Sequence, residues 1–429
     1  MGTLITGARI ADPLGRLPAQ ADVLIEGGRI AAVGKKLPRG KHRVVRKDGL
    51  HILPGLVDIH AHLREPGFEY KETLETGLRA AALGGFTSVV CMPNTSPAID
   101  NKSVVKYLKD RSRAVGAARL YVAGAVSKGR RGEELADIGE MFEEGIVAIT
   151  DDGAPVMNSR LMRRAMEYSK IFGIPVMSHC EDLNLTAGGL MNEGVVSTRL
   201  GLAGIPAAGE EIMTARDVSL AALTGARLHV THVSTRGAAE TVRNARRKRL
   251  RVTCDVTPHH LLLTDEDVRA YDTATKVNPP LRTAGDREAL AGRLADGTIA
   301  AIATDHAPHA AHEKETSFEE APFGAVGFES AVPALLTELV HRRKLPLALI
   351  ARKMALEPAR VMNLPGGKIA PGEPADLTIL DLNAGFTIQP GNFVSLGRNC
   401  PFAGMKVKGR VDTVIVGGGT VVEDGRLVR

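Results

Sequence analysis

The fold is decided first by residues 53–62, which read Leu-Pro-Gly-Leu-Val-Asp-Ile-His-Ala-His. This apolar run predicts a β-strand, and a strand sends residues i and i+2 to the same face. His60 and His62 therefore point into one space and can hold one metal ion between them. In a chain with 13 histidines, one such pair is weak evidence by itself, so its meaning depends on the rest of the chain.

Other apolar runs also end in side chains that bind metals. The runs at 146–150, 175–178, 228–231 and 299–304 lead directly into Asp151-Asp152, His179, His232 and Asp305. Three further β-like runs lie at 86–92, 119–126 and 251–256. Stretches with helical periodicity separate the strands, for example at 73–83, 159–172, 209–224 and 236–247.

Eight strands alternating with helices predict an α/β fold, a (β/α)8 TIM barrel. Side chains at the carboxyl ends of barrel strands meet at one mouth and usually carry the chemistry. The metal-binding series would therefore converge there. The alternative is that His60 and His62, or His179 and His232, are ordinary core histidines.

The two chain ends predict a second unit. The 429 residues exceed the roughly 250 of a bare barrel. Residues 3–52 and 375–429 alternate apolar and polar positions with glycine turns. We therefore expect a barrel over 53–365, flanked by one β-sandwich built from residues 1–52 and 366–429.

Composition excludes several classes of protein. No apolar run reaches the roughly 18 residues of a membrane span, and the amino terminus lacks a signal-peptide pattern, so we expect a soluble cytoplasmic protein. The four cysteines show no C-x-x-C spacing and are expected to be reduced. The net charge is +6, and the densest basic run, 243–251, holds no aromatic residue. It predicts a solvated helix face and no nucleic-acid site, while the basic balance suits anionic small substrates.

The motifs resemble a known family. Residues 54–62 look like the metal-binding opening of the amidohydrolase superfamily. The strings at 62–67 (His-Leu-Arg-Glu-Pro-Gly), 92–95 (Met-Pro-Asn-Thr), 278–282 (Asn-Pro-Pro-Leu-Arg), 303–309 (Ala-Thr-Asp-His-Ala-Pro-His) and 327–329 (Gly-Phe-Glu) resemble the bacterial type I dihydroorotases. The resemblance covers essentially the whole chain. It implies reversible hydrolysis of dihydroorotate to N-carbamoyl-L-aspartate in pyrimidine (UMP) biosynthesis.

The resemblance also implies a zinc centre with one or two ions, two being favoured. Six N and O ligands exceed one tetrahedral site but suit a metal pair. We assign His60, His62 and Asp305 to one ion and His179 and His232 to the other, with Asp152 as the bridge. Asp151 stays open as the alternative bridge. Many relatives carry a carboxylated lysine at the end of strand four, where this chain has Ile149-Thr-Asp-Asp-Gly153.

The remaining site roles follow from the family. Asp305 would be the proton shuttle. Substrate binding is assigned to His62, Arg64, Asn94, Asn278, His309 and the Phe323-Gly324 backbone, with Arg64 on the substrate carboxylate. Arg64 has a structural ion-pair role as its alternative, and Asn278 a turn-forming role before Pro279. His259 and His260 suit structural support better than metal or product binding, and His306 and His312 have no assigned role.

Two other functions stay open, as does the partner with which the protein assembles. One is a hydantoinase- or allantoinase-like hydrolase, against which the missing strand-four lysine counts. The other is a non-catalytic scaffold for aspartate transcarbamoylase, against which the complete ligand set counts. We expect a homodimer, with a stable aspartate transcarbamoylase complex left open. The polar segment 309–324 is expected to pack in no core and to act as a mobile lid.

Overall fold

The computed structural model describes residues 2–428, apart from the side chain of Arg269. The chain begins with short strands before the barrel. They are β1 (Thr3–Thr6), β2 (Arg9–Ile10), β3 (Asp22–Glu26), β4 (Arg29–Gly34), β5 (Arg43–Arg46) and β6 (His51–Pro54).

Eight parallel strands then form the central sheet. In chain order the next strands are β7 (Leu56–Ala61), β8 (Phe86–Cys91), β9 (Arg119–Gly124), β10 (Ala148–Ile149), β11 (Val176–Ser178), β12 (Met191–Asn192), β13 (Gly204–Ile205), β14 (Leu228–Val230), β15 (Val252–Val256) and β16 (Ala301–Ile302). Strands β12 and β13 pair only with each other, and the other eight are ordered β16-β15-β14-β11-β10-β9-β8-β7. A parallel bridge between Ala61 and His306 joins the first barrel strand to the segment that follows the last one. The predicted eight-stranded barrel is confirmed.

The first predicted strand is divided between two sheets. Residues 53 and 54 belong to β6, which pairs outside the barrel, and the chain enters the barrel only at Leu56. Gly55 makes this passage, where a Cβ would lie 2.2 Å from the Thr87 hydroxyl oxygen. Close approach of the backbone to β8 therefore requires glycine at this position.

The chain between and after the barrel strands forms helices. They are α1 (Leu74–Leu83), α2 (Lys102–Val115), α3 (Ile138–Glu144), α4 (Ser159–Phe172), α5 (Leu183–Thr186), α6 (Val195–Leu200), α7 (Ala207–Thr224), α8 (Arg236–Arg247), α9 (Pro258–Leu262), α10 (Ala284–Ala295), α11 (Ala311–Lys314), α12 (Phe328–Leu335), α13 (Leu347–Ala351) and α14 (Glu357–Val361). π-helical segments at Leu336–Arg342 and Arg352–Leu356 continue α12 and α13.

Local sequence explains where the barrel helices begin and end. Asn158 caps α4 by accepting from two backbone N–H groups, and Thr235 caps α8 in the same way from one. Gly173 ends α4 with a φ of +69°, a conformation that favours glycine. Among the described residues, no helix is long and apolar enough to cross a membrane.

The two chain ends share one core beside the barrel. The last strands are β17 (Leu377–Thr387), β18 (Lys406–Val416), β19 (Gly419–Glu423) and β20 (Arg426–Leu427). The sheets are ordered β4-β3-β1-β5 and β2-β6-β17-β18-β19-β20. Buried side chains from both sheets pack in one cluster, including Ile5, Val23, Ile52, Leu377 and Ile415. The expected flanking sheets from both ends are present, and the domain limits stay a prediction.

Candidate active site

The carboxyl end of β7 carries two buried histidines. The Nε2 atoms of His60 and His62 both face Asp305, at 3.5 and 3.1 Å from its Oδ1 atom. The other ring nitrogen of His62 fixes the orientation of the ring, because Nδ1 lies 2.7 Å from the Asn94 amide oxygen. Nδ1 therefore carries the proton, and the Nε2 lone pair is free for a cation.

Asp152 lies between two groups of histidines and gives one oxygen to each. Its Oδ2 atom is 3.3 Å from His60 Nε2 and 3.5 Å from His62 Nε2. Its Oδ1 atom is 3.4 Å from His232 Nε2 and 3.9 Å from His179 Nδ1. A carboxylate in this position can bridge two cations.

The neighbouring Asp151 points away from the histidines. It accepts hydrogen bonds from the backbone N–H groups of Val126 (2.8 Å) and Ser127 (3.1 Å), and from the Ser127 hydroxyl. It therefore holds the loop after β9, and the structure brings Asp152 to the histidines in its place.

His179 and His232 aim two nitrogens at one point. His179 Nδ1 lies 3.0 Å from His232 Nε2, while His179 Nε2 lies 2.9 Å from Glu181 Oε2. Because the Nε2–H donates to Glu181, the Nδ1 atom of His179 presents a lone pair. Two ring nitrogens that converge in this way are suited to a shared cation.

The donor set fits divalent metal ions. His60, Asp152 and His232 form one group of possible ligands, and His60, His62 and Asp305 form another, each with ligand atoms within 4.8 Å of one another. Buried His60 Nε2 and Asp152 Oδ1 have no hydrogen-bond partner among the described residues. A buried polar atom without a partner is costly, and a metal ion would supply the missing partner.

The electrostatics of the centre favour positive charge. Burial alone would lower the pKa of His60, but the Asp152 and Asp305 carboxylates outweigh it and raise this pKa to about 10. Burial would raise the pKa of Asp152, but the surrounding histidines hold it well below its usual range. Burial would likewise raise the pKa of Asp305, but its hydrogen bond to His62 and the nearby histidine charges hold it well below its usual range. The two carboxylates therefore stay charged and attract a cation.

A cavity of about 210 Å³ opens over these groups. It is lined by His62, Arg64, Asn94, Asp152, Gly153, His179, His232, Asn278, Asp305, Ala307, His309, Phe323 and Gly324. Every residue assigned to substrate binding from the sequence is in this set. His60 is buried at the metal centre and does not line the cavity.

Arg64 and His309 form the polar wall of the cavity. Arg64 Nε donates to the Pro308 carbonyl at 3.0 Å, and Arg64 Nη2 lies 3.3 Å from His309 Nε2. Burial lowers the pKa of Arg64 to about 10, so the guanidinium stays protonated at neutral pH. Arg64 (φ +64°), His232 (φ +35°) and Asp305 (φ +50°) all adopt left-handed backbone conformations, which are sparse for these residue types and cluster at functional sites.

Sequence reasoning missed Glu181 because a lone glutamate after a strand has no distinguishing motif. Glu181 Oε2 also accepts from Asn278 Nδ2 at 2.9 Å, so one carboxylate links His179 to Asn278. Burial would raise the pKa of Glu181, but His179 outweighs it and holds this pKa at about 2. Its position two residues after His179 is the only signal that the sequence offered.

The unassigned histidines hold the framework. His260 Nε2 donates to the Pro279 carbonyl at 2.9 Å, and burial lowers the pKa of the neighbouring His259 to about 4. His306 packs flat on Phe328 and lies 3.3 Å from Glu72. His312 stacks on Tyr70 outside the cavity.

The expectation that segment 309–324 packs in no core is wrong. Phe318 is 2% exposed and packs in a cluster with Val268 and Val277. The Lys314 ammonium donates to the carbonyls of Thr273 (2.9 Å) and Pro322 (2.6 Å). One aromatic ring and a buried lysine anchor the segment, which a search for apolar periodicity does not detect. Its mobility and closure stay a prediction.

Comparison with known proteins gives consistent relatives. The family profile described as Dihydro-orotase-like matches residues 49–238. Proteins named dihydroorotase from Pelotomaculum thermopropionicum and Acetivibrio thermocellus are 51% and 48% identical, covering 100% and 98% of this chain and 100% and 99% of their own. The L-hydantoinase (dihydropyrimidinase) of Arthrobacter aurescens superposes with a TM-score of 0.91 at 25% identity, covering 100% of this chain and 97% of its own. A D-hydantoinase from Bacillus sp. AR9 gives 0.87 at 26% identity, covering 99% and 96%.

Proposed function

The chain belongs to the dihydroorotase family of cyclic-amide hydrolases, and from that premise we propose how its buried site performs the reaction. Dihydroorotases interconvert (S)-dihydroorotate and N-carbamoyl-L-aspartate. The observation that carries the proposal is the position of Asp152, whose two oxygens face two separate histidine groups beneath a cavity that contains Arg64.

We propose two zinc ions as the cofactor. His60, His62 and Asp305 would hold one, His179 and His232 the other, and Asp152 would bridge them. Nitrogen and carboxylate donors suit zinc. Zinc bound there would supply an activated water at neutral pH and would polarise the ring carbonyl.

Asp305 moves the proton in this mechanism. Its carboxylate takes a proton from the attacking water while the water oxygen bonds to the ring carbonyl carbon. It then gives that proton to the ring nitrogen as the carbon–nitrogen bond breaks. The new carboxyl group loses the second proton of the water to solvent and becomes a carboxylate, so that N-carbamoyl-L-aspartate and one released proton account for all the atoms.

Other residues orient the substrate. Arg64 would bind the dihydroorotate carboxylate with two N–H groups, and His309 stands beside it at 3.3 Å. Asn278 and the backbone of Phe323-Gly324 would contact the ring amide. Asn94 serves a second purpose, since its amide oxygen already orients His62.

One purified sample tests both the substrate and the cofactor. We expect dihydroorotate hydrolysis that disappears with exhaustive chelation, returns with added zinc and exceeds any turnover of hydantoin or allantoin. Full activity in a metal-free sample would refute the metal assignment. Hydantoin turnover without dihydroorotate turnover would place the chain with the hydantoinases in function.

We propose further that the enzyme is a homodimer acting in the cytoplasm. Support for a protein interface comes from exposed apolar side chains on neighbouring elements, among them Leu185, Val195 (83% exposed) and Ile212. Light scattering of the pure protein tests the dimer. Repeating it with added aspartate transcarbamoylase tests a stable complex between the two enzymes.

A further inference from the structure

The end of the barrel opposite the catalytic centre carries a second, larger cavity. Its volume is about 540 Å³, against about 210 Å³ for the catalytic one. Its walls include Pro175, Leu228 and Val252, which stand at the amino-terminal starts of β11, β14 and β15. The catalytic groups follow the carboxyl ends of the strands, so the two cavities are separate.

The walls of this cavity are strongly basic. Four arginines line it, namely Arg227, Arg246, Arg251 and Arg360. Glu357 is the one carboxylate among the described residues of the wall, and it is shared, since it pairs with Arg360 and with Arg352 at 3.1 Å each. The cavity therefore keeps an excess of positive charge.

Backbone carbonyls fix the positions of two of these arginines. Arg227 donates to the carbonyls of Gly173 (2.8 Å) and Val361 (2.6 Å). Arg246 donates through Nη1 alone, to the carbonyls of Gly297 and Thr298. A guanidinium has five N–H donors, so both keep donors for a ligand while their positions are fixed.

Arg251 supplies charge without a partner. It forms no ion pair with any described residue, in contrast to Arg243 on the same basic run, which pairs with Glu240. Burial lowers the pKa of Arg227, and the charge of Arg251 lowers it further. Neither arginine forms an ion pair with a described carboxylate, so both charges are available to an anion.

We propose that this cavity binds a small anion carrying two or more phosphate groups. Guanidinium groups match phosphate oxygens in a bidentate geometry. The arginines come from three separate segments, at 227, 246–251 and 360, so an anion charged at several points satisfies more of them than a single phosphate does. The described wall holds no aromatic ring, which leaves a nucleobase no stacking surface and makes the phosphates the recognised feature.

Titration calorimetry with inorganic pyrophosphate tests the proposal on the full-length protein at constant ionic strength. We expect saturable binding that Arg251→Ala weakens by about tenfold or more, because a charge-assisted hydrogen bond is lost. Arg247→Ala is the matched control, since Arg247 lies on the same run and outside the cavity wall. It should change the affinity by no more than about twofold, because its charge lies outside the wall and contributes only a screened field. Arg360→Gln provides a second wall variant.

Dihydroorotate hydrolysis should be unchanged in all three variants, which shows that each has folded and keeps this test independent of the proposed catalytic mechanism. Absence of saturable binding to the wild-type protein would overturn the proposal. So would equal losses in Arg251→Ala and Arg247→Ala, which would indicate only the diffuse field of a basic helix. Sulfate binding as tightly as pyrophosphate would overturn the assignment to a ligand with several phosphates.

Discussion

Replacing Glu181 by glutamine tests whether this carboxylate orients the metal centre. The Oε2 atom of Glu181 accepts from His179 Nε2 and from Asn278 Nδ2, both at 2.9 Å. Glutamine keeps the shape and an acceptor oxygen but loses the negative charge. Both hydrogen bonds therefore change from charge-assisted to neutral, at a cost of about 1 kcal/mol each.

About 1 kcal/mol at the His179 bond corresponds to about fivefold in zinc affinity. This lies just below the roughly 10–100-fold range for residues that support metal ligands. We expect Glu181→Gln to bind zinc about five- to tenfold more weakly, to lose kcat at limiting zinc and to recover most of it in excess zinc. A separate rise in KM should persist in excess zinc, because the hydrogen bond that orients Asn278 is weakened by a similar amount.

Zinc content and steady-state kinetics across a zinc titration measure both effects. Glu193→Gln is the matched control, since Glu193 is exposed and lies outside the cavity. Unchanged zinc dependence together with unchanged kcat/KM in Glu181→Gln would refute the reasoning. A loss of kcat that excess zinc does not restore would mean that Glu181 acts on the substrate and not through His179.

Four further substitutions test the assigned roles. Asp152→Ala should lose the second zinc ion in metal analysis and most of its activity in the assay. Asp151→Ala should keep its zinc but unfold at a lower temperature, because the loop after β9 is released. The reverse pattern would exchange the roles of the two aspartates. Asp305→Asn should lower kcat by about 10²–10⁴ if it shuttles the proton, and kcat equal to that of the wild type would remove it from the mechanism. Arg64→Lys keeps the charge but loses the planar fork, so steady-state kinetics should show mainly a higher KM for dihydroorotate, and an unchanged KM would argue for a purely structural arginine.

Short-range patterns allowed the fold and most of the candidate site to be predicted. Strand residues at i and i+2 share a face, so the spacing of His60 and His62 predicts their convergence without knowledge of the rest. The barrel follows from alternating strands and helices, and parallel barrel strands bring their carboxyl ends together. His179, His232 and Asp305 could therefore be placed at one mouth, although long stretches of chain separate them.

Only the tertiary structure showed which of two adjacent aspartates faces the histidines, and only it revealed site residues that no sequence motif marks. Asp151 and Asp152 are chemically identical, and the backbone N–H groups of the loop after β9 determine which one turns away from the histidines. Glu181 gains its importance from Asn278, which lies 97 residues away. Lys314 anchors its segment through carbonyls that no side-chain pattern reveals. Sequence periodicity indicates which face of a helix or strand is buried. These contacts depend instead on the positions of groups that are distant in the sequence, and those positions are determined only when the barrel closes.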